Sequence, residues 1–138
     1  MTPEYLWRFL IVGYLVTIAI ETPILIFGLS KRHPLKHRFF AGVWLTACTY
    51  PIVVLVLPTA FGVAENPQAY PTYLLVAEIF APVAECLLFW IVFGTAEPRS
   101  RGATIRDMVV IIVANLASFG FGLLLERLDW WRHLPLFG

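Results

Sequence analysis

Apolar residues run along this chain in four long blocks, and a short polar segment separates each block from the next. The blocks cover residues 6–29, 39–63, 73–95 and 105–125. A helix needs about 20 apolar residues to cross the hydrocarbon core of a bilayer, and each block is long enough. The linkers SKRHPLKHR, AENPQAYP and AEPRSRG are short and contain proline. The pattern predicts an all-α polytopic membrane protein, one domain over residues 1–138, built as an antiparallel bundle of four transmembrane helices.

Composition narrows the class of protein further. Of the 138 residues, 59% are hydrophobic and 14% are charged, whereas a soluble domain has about 25% charged residues. Cys48 and Cys86 lie inside apolar blocks without metal-ligand spacing, so we interpret them as buried small hydrophobic residues. The chain has no glycine-rich nucleotide loop, no Ser-His-Asp set and no zinc-ligand cluster. We therefore expect no catalytic residues, cofactor, metal site or nucleic-acid partner.

Basic residues predict the direction of insertion. Lys and Arg concentrate in cytoplasmic loops, and seven of the ten fall in the first linker or in the third linker and the start of the fourth block. This distribution places those linkers in the cytoplasm and both termini outside it, in a cell (inner) membrane. The residues of the segment 126–138, with Trp130 and Trp131, are expected to lie on the outer surface.

The basic first linker allows two interpretations. Its four cations can be the topology signal alone, which we favour, or they can also hold anionic lipid head groups. The cations concerned are Lys31, Arg32, Lys36 and Arg38.

Each predicted helix brings a polar residue to about the same depth. Glu21 lies near the middle of the first block, Thr49 of the second, Glu85 of the third and Asn115 of the fourth. In so apolar a chain, such an alignment is rarely the result of chance. It predicts that four polar positions converge on the axis of the bundle.

Spacing along the helices extends these positions into stripes. Glu78 and Glu85 end two copies of Val-Ala-Glu that are seven residues apart, so they share a helix face and lie about 10 Å apart along the axis. Thr17 and Glu21 are four residues apart and also share a face, which Tyr14 extends.

No Lys or Arg lies at this depth, although an ionised acid at the bilayer centre costs at least ~2.5 kcal/mol. The acids are therefore protonated and hydrogen-bonded, or hold a cation or exchange protons with water, or meet a basic group on another subunit. The second option predicts a small proton- or cation-handling permease. Its ion or proton site would comprise Glu21 and Glu85 as acceptors, Glu78 as the entry step, and Tyr14, Thr17, Thr49 and Asn115 as neutral hydrogen-bonding residues.

Two alternatives follow from the same residues. In one, the protein is a non-catalytic subunit or assembly factor, and its glutamates pair with a basic helix of a partner membrane protein. In the other, ranked last, it is an intramembrane enzyme that acts on a lipid. In addition, the small-residue ridge of Ala114, Ser118 and Gly122 allows close approach of another helix, either within the chain or in a homo-oligomer.

Overall fold

The computed structural model describes residues 3–133, without the side chains of residues 3–6, 131 and 132, and all regular structure in this range is helical. Two short 3-10 turns, Pro67–Ala69 and Trp130–His133, accompany the longer elements. The other helical elements, in chain order, are α1 (Pro3–Gly28), α2 (Leu35–Pro51), a π-helical segment (Ile52–Val56), α3 (Leu57–Ala60), α4 (Tyr70–Phe93) and α5 (Arg101–Arg127).

Four helical stretches are long and apolar enough to cross a membrane, as the sequence predicted. They are Trp7–Gly28, Leu35–Ala60, Pro67–Phe93 and Arg101–Arg127. The second, third and fourth begin earlier than their apolar blocks, because polar residues contribute to their first turns. The side chain of Ser100 caps α5 by accepting a hydrogen bond from the Ala103 N–H at 3.3 Å. Hydropathy therefore located the helices but not their polar ends.

The π-helical segment between α2 and α3 follows from a proline. The Leu57 N–H bonds to the Ile52 carbonyl, five residues back, which leaves the next carbonyl, that of Val53, facing Pro58. Proline has no N–H to donate. The hydroxyl of Tyr73 in α4 donates to the Val53 carbonyl instead, at 3.1 Å. An unpaired backbone group away from water is costly, so this bond both satisfies the segment and joins it to α4.

The long helices pack into a bundle in which α1 contacts α2 and α5, and α4 contacts α5 and α2. The loop between α1 and α2 (residues 29–34) and the loop between α4 and α5 (residues 94–100) lie at one end, which we call the basic end. The loop between α3 and α4 and the end of α5 meet at the other, which we call the aromatic end. Buried apolar side chains fill the half of the bundle near the basic end: Leu25, Leu29, Ala41, Leu45, Phe89, Phe93, Ile111 and Ala114.

The outer surface of the bundle is apolar. Phe27 is 83% exposed, and Val83 and Ile91 are each 62% exposed. Such side chains are typical of a surface covered by lipid. Cys48 and Cys86 are half-buried, less enclosed than the sequence indicated. Of the predicted surface segment 126–138, residues 134–138 lie outside the described part, and its position at an interface stays a prediction.

Candidate functional site

Two glutamates lie inside the bundle. Glu21 of α1 and Glu85 of α4 are each 2% exposed. None of the ion pairs within residues 3–133 involves either carboxylate. Burying a charge is costly unless it is paired and hydrogen-bonded, so the neutral partners of these two groups decide what the site can do.

Glu21 is bound from two neighbouring helices. The hydroxyl of Thr46 in α2 lies 2.7 Å from its Oε2 atom. The hydroxyl of Ser118 in α5 contacts its Oε1 atom at very short range. Each carboxyl oxygen therefore has one hydroxyl partner.

Glu85 is held by the same two helices. The hydroxyl of Thr49 in α2 lies 2.7 Å from Oε1, and the side-chain N–H of Asn115 in α5 donates to Oε2 at 2.8 Å. Thr49 lies three residues after Thr46, and Asn115 three residues before Ser118. All four long helices thus contribute to one buried polar network.

The hydroxyls in this network have a choice of partner. The Thr46 hydroxyl also lies 3.0 Å from the Gly42 carbonyl, and the Thr49 hydroxyl 3.1 Å from the Leu45 carbonyl. The Ser118 hydroxyl is likewise 3.0 Å from the Asn115 carbonyl. A hydroxyl has one proton to donate and lone pairs to accept with. It can donate to an ionised carboxylate, or donate to the backbone carbonyl three or four residues earlier in its helix and accept from a protonated carboxyl.

A cavity of about 340 Å³ connects this network with the aromatic end. Glu21 and Glu85 form part of its wall, and Tyr70 and Tyr73 line it where α4 begins. On the other side of the two carboxylates, the apolar core of the basic end fills the bundle. The cavity that the described residues form therefore lies between the two carboxylates and the aromatic end.

The remaining predicted residues occupy different positions. Thr17 and the half-buried Glu78 line the cavity, and Glu78 lies closer to the aromatic end than Glu85 does. Tyr14 is not part of the wall, because its hydroxyl donates to the Val43 carbonyl at 3.0 Å. Its ring packs against that of Tyr50, which lines the cavity, with the ring centroids 6.2 Å apart, and its role in the site stays a prediction.

The small-residue ridge of α5 faces the inside of the bundle. Ala114 is buried in the core, Ser118 contacts Glu21, and Gly122 lines the cavity. Of the two alternatives for this ridge, the contacts are those of internal packing. Homo-oligomerisation stays a prediction.

A second polar cluster, which the sequence analysis did not identify, lies at the basic end. Asp107 of α5 is fully buried and accepts hydrogen bonds from the backbone N–H and the hydroxyl of Ser30, at 2.6 and 2.9 Å. Arg32 and His33 each approach its Oδ2 atom to 2.9 Å. The signal in the sequence was Asp107 itself, the one acid within the block 105–125.

The predicted head-group cations divide into two kinds. Arg32 bonds Asp107, and Arg38 donates to the carbonyls of Ile26 and His33 at 2.9 and 2.8 Å. These two side chains therefore hold α1 and its following loop in place. Lys31 and Lys36 are exposed. The binding of lipid head groups stays a prediction, and of the four cations these two are the most accessible for it.

Comparisons with known proteins gave no match to a family model, to a curated protein or to a solved structure.

Proposed function

We propose that the protein is a small membrane permease that transfers protons or a cation through a site formed by Glu21 and Glu85. The observation that carries the proposal is the pair of buried carboxylates, hydrogen-bonded to neutral groups of the described residues, in the wall of a cavity. The four long helices would cross the bilayer in an antiparallel arrangement.

The distribution of charge favours one orientation. Seven Lys and Arg residues belong to the two loops of the basic end or to the first two turns after them, and such residues concentrate on the cytoplasmic side. In this orientation both termini lie outside the cytoplasm, in a cell membrane. The cavity then opens away from the cytoplasm, and the packed half of the bundle closes the cytoplasmic side.

The hydrogen bonds favour proton exchange. A site that holds a proton in one step and releases it in the next must satisfy its polar groups in both states, because an unpaired buried polar group costs about 1–3 kcal/mol. Thr46, Thr49 and Ser118 each have both a carboxylate oxygen and a backbone carbonyl within reach. Rotation of these hydroxyls therefore accommodates either protonation state without a change of backbone.

Transport also requires that the site open toward the basic end in a second state. The Asp107 cluster joins the α1–α2 loop to α5 at that end through hydrogen bonds to Ser30, Arg32 and His33. Separation of this loop from α5 would expose the apolar core and then the two carboxylates. We assign the cluster the role of holding that end closed.

The alternative of a partner subunit with a basic helix has less support. Both glutamates face the interior and already have two hydrogen-bonding partners each. A basic side chain from another protein would have to enter the cavity to reach them. This alternative becomes one outcome of the following test.

The test is proton flux into liposomes that contain the purified protein, measured with an enclosed pH-sensitive dye under imposed pH and cation gradients. Glu85→Gln keeps the size of the side chain and removes its ability to exchange a proton. Glu97→Gln is the control, because Glu97 is 72% exposed in a loop of the basic end. We expect flux in the wild type and the control, and none in Glu85→Gln. Absence of flux in all three folded, inserted proteins would contradict the proposal and favour a partner subunit.

A further inference from the structure

The charged side chains among the described residues that line the cavity are all acidic. Its wall contains the carboxylates of Glu21, Glu78, Glu85 and Glu126, and none of the described residues that line it is Lys, Arg or His. A cleft with walls of low dielectric and charges of one sign concentrates ions of the opposite sign. A positively charged ligand is therefore favoured over an anion.

Aromatic rings make up much of the remaining wall. The rings that line the cavity belong to Phe9, Tyr50, Tyr70, Tyr73 and Phe119. The hydroxyl groups of two of them already have protein partners: Tyr70 donates to Glu126 at 3.3 Å and Tyr73 to the Val53 carbonyl at 3.1 Å. What these residues offer a ligand is mainly the ring, whose face attracts a cation.

The size of the cavity argues against a bare metal ion. Its volume of about 340 Å³ lies in the range of pockets that bind small organic molecules. Within the described residues, no group of three or more His, Cys, Asp or Glu side chains is arranged to hold a metal. An inorganic cation would leave most of the wall, which is apolar and aromatic, without contact.

We propose that the ligand of this cavity is an organic monocation, with an apolar body against the aromatic wall and one positively charged nitrogen or phosphorus near Glu21 and Glu85. The inference rests on the proposed function to the extent that the same two carboxylates bind the proton. It adds the class of substrate and a mechanism of coupling. Cation and proton compete for the same negative charge, so a cation that binds displaces a proton from the pair, and the charge of the site is conserved.

Equilibrium dialysis with tetraphenylphosphonium and the detergent-solubilised protein tests this inference. Tetraphenylborate, which has the same shape and the opposite charge, is the matched probe. We expect saturable binding of the phosphonium to the wild type and the Glu97→Gln control, and binding at least about tenfold weaker in Glu85→Gln and in Glu21→Gln. Equal binding of both probes, or phosphonium binding unchanged in the glutamine variants, would overturn the proposal.

A variant that leaves the charge of the cavity unchanged tests how much the aromatic rings contribute to binding of the cation. Phe119→Leu removes one ring of the wall and keeps an apolar side chain, and we expect phosphonium binding about threefold weaker. Unchanged binding in this variant would contradict the role of the rings. In weakly buffered solution, phosphonium should also release protons from the wild type and not from the Glu21→Gln/Glu85→Gln double variant.

The two proposals fail in different ways. Phosphonium binding without any flux in liposomes would contradict the permease and leave the organic cation site standing. Flux of protons or potassium without phosphonium binding would overturn the organic cation site and leave the permease.

Discussion

Replacement of Asp107 by Asn should destabilise the protein strongly. The Oδ2 atom of Asp107 lies near the Ser30 hydroxyl, two nitrogens of Arg32 and one of His33. An amide nitrogen at that position can only donate, so it would face the donors of Arg32. Loss of one partner of a buried ion pair costs about 3–5 kcal/mol, and the Asp107 side chain has no exposure while that of Arg32 has 4%.

The tautomer of His33 follows from the contacts of the same cluster. Its Nε2 atom lies 2.9 Å from Asp107 and 3.3 Å from the Arg32 Nε atom. Arg can only donate, so the two contacts require opposite roles of Nε2, and the shorter one favours a proton on Nε2 donated to Asp107. The remaining ring nitrogen, Nδ1, is buried without a hydrogen-bonding partner among the described residues.

The assay is reversible unfolding in mixed micelles with increasing sodium dodecyl sulfate, followed by circular dichroism. Glu97→Gln is the matched control, because it removes an exposed ion pair with Arg99 from the same end of the bundle. Such pairs contribute about 0–1 kcal/mol. A free energy of unfolding for Asp107→Asn within 1 kcal/mol of the wild type, a margin taken from the range for surface pairs, would refute the reasoning.

Two further predictions use the same unfolding assay. Tyr73→Phe leaves the Val53 carbonyl without its hydroxyl donor and should cost about 1–3 kcal/mol; an unchanged value would mean that this carbonyl has another partner. Gly42→Ala places a Cβ atom 2.8 Å from the backbone of Thr22 and should cost about 1–3 kcal/mol. Gly120→Ala is the control, because a Cβ atom at Gly120 has no neighbour within 4 Å, and it should be neutral or stabilising by up to about 1 kcal/mol. Equal effects of the two alanine substitutions would contradict close packing of α1 on α2.

The sequence predicted the helices because the apolar blocks are long and the breaks between them are polar. It also identified Glu21, Thr49, Glu85 and Asn115, since depth in a helix follows directly from position in a block. The structure places these four in one network, and it adds Thr46 and Ser118 as partners of Glu21.

The partners of Asp107 could not be derived in the same way. Asp107 and Arg32 are separated by 75 residues and meet only because the α1–α2 loop folds back onto α5. Their contact depends on tertiary packing, which hydrophobic periodicity does not encode. The role of Tyr73 is similar, because its bond to Val53 depends on a π-helical segment that the sequence analysis did not anticipate.

The central claim is that Glu21 and Glu85 exchange protons with the solution. Infrared difference spectroscopy of the lipid-reconstituted protein tests it most directly, through the carbonyl stretching band of a protonated carboxylic acid as pH is raised. We expect a band that disappears with rising pH in the wild type and is absent from the Glu21→Gln/Glu85→Gln double variant. A band that does not respond to pH, or one that persists unchanged in the double variant, would contradict the claim.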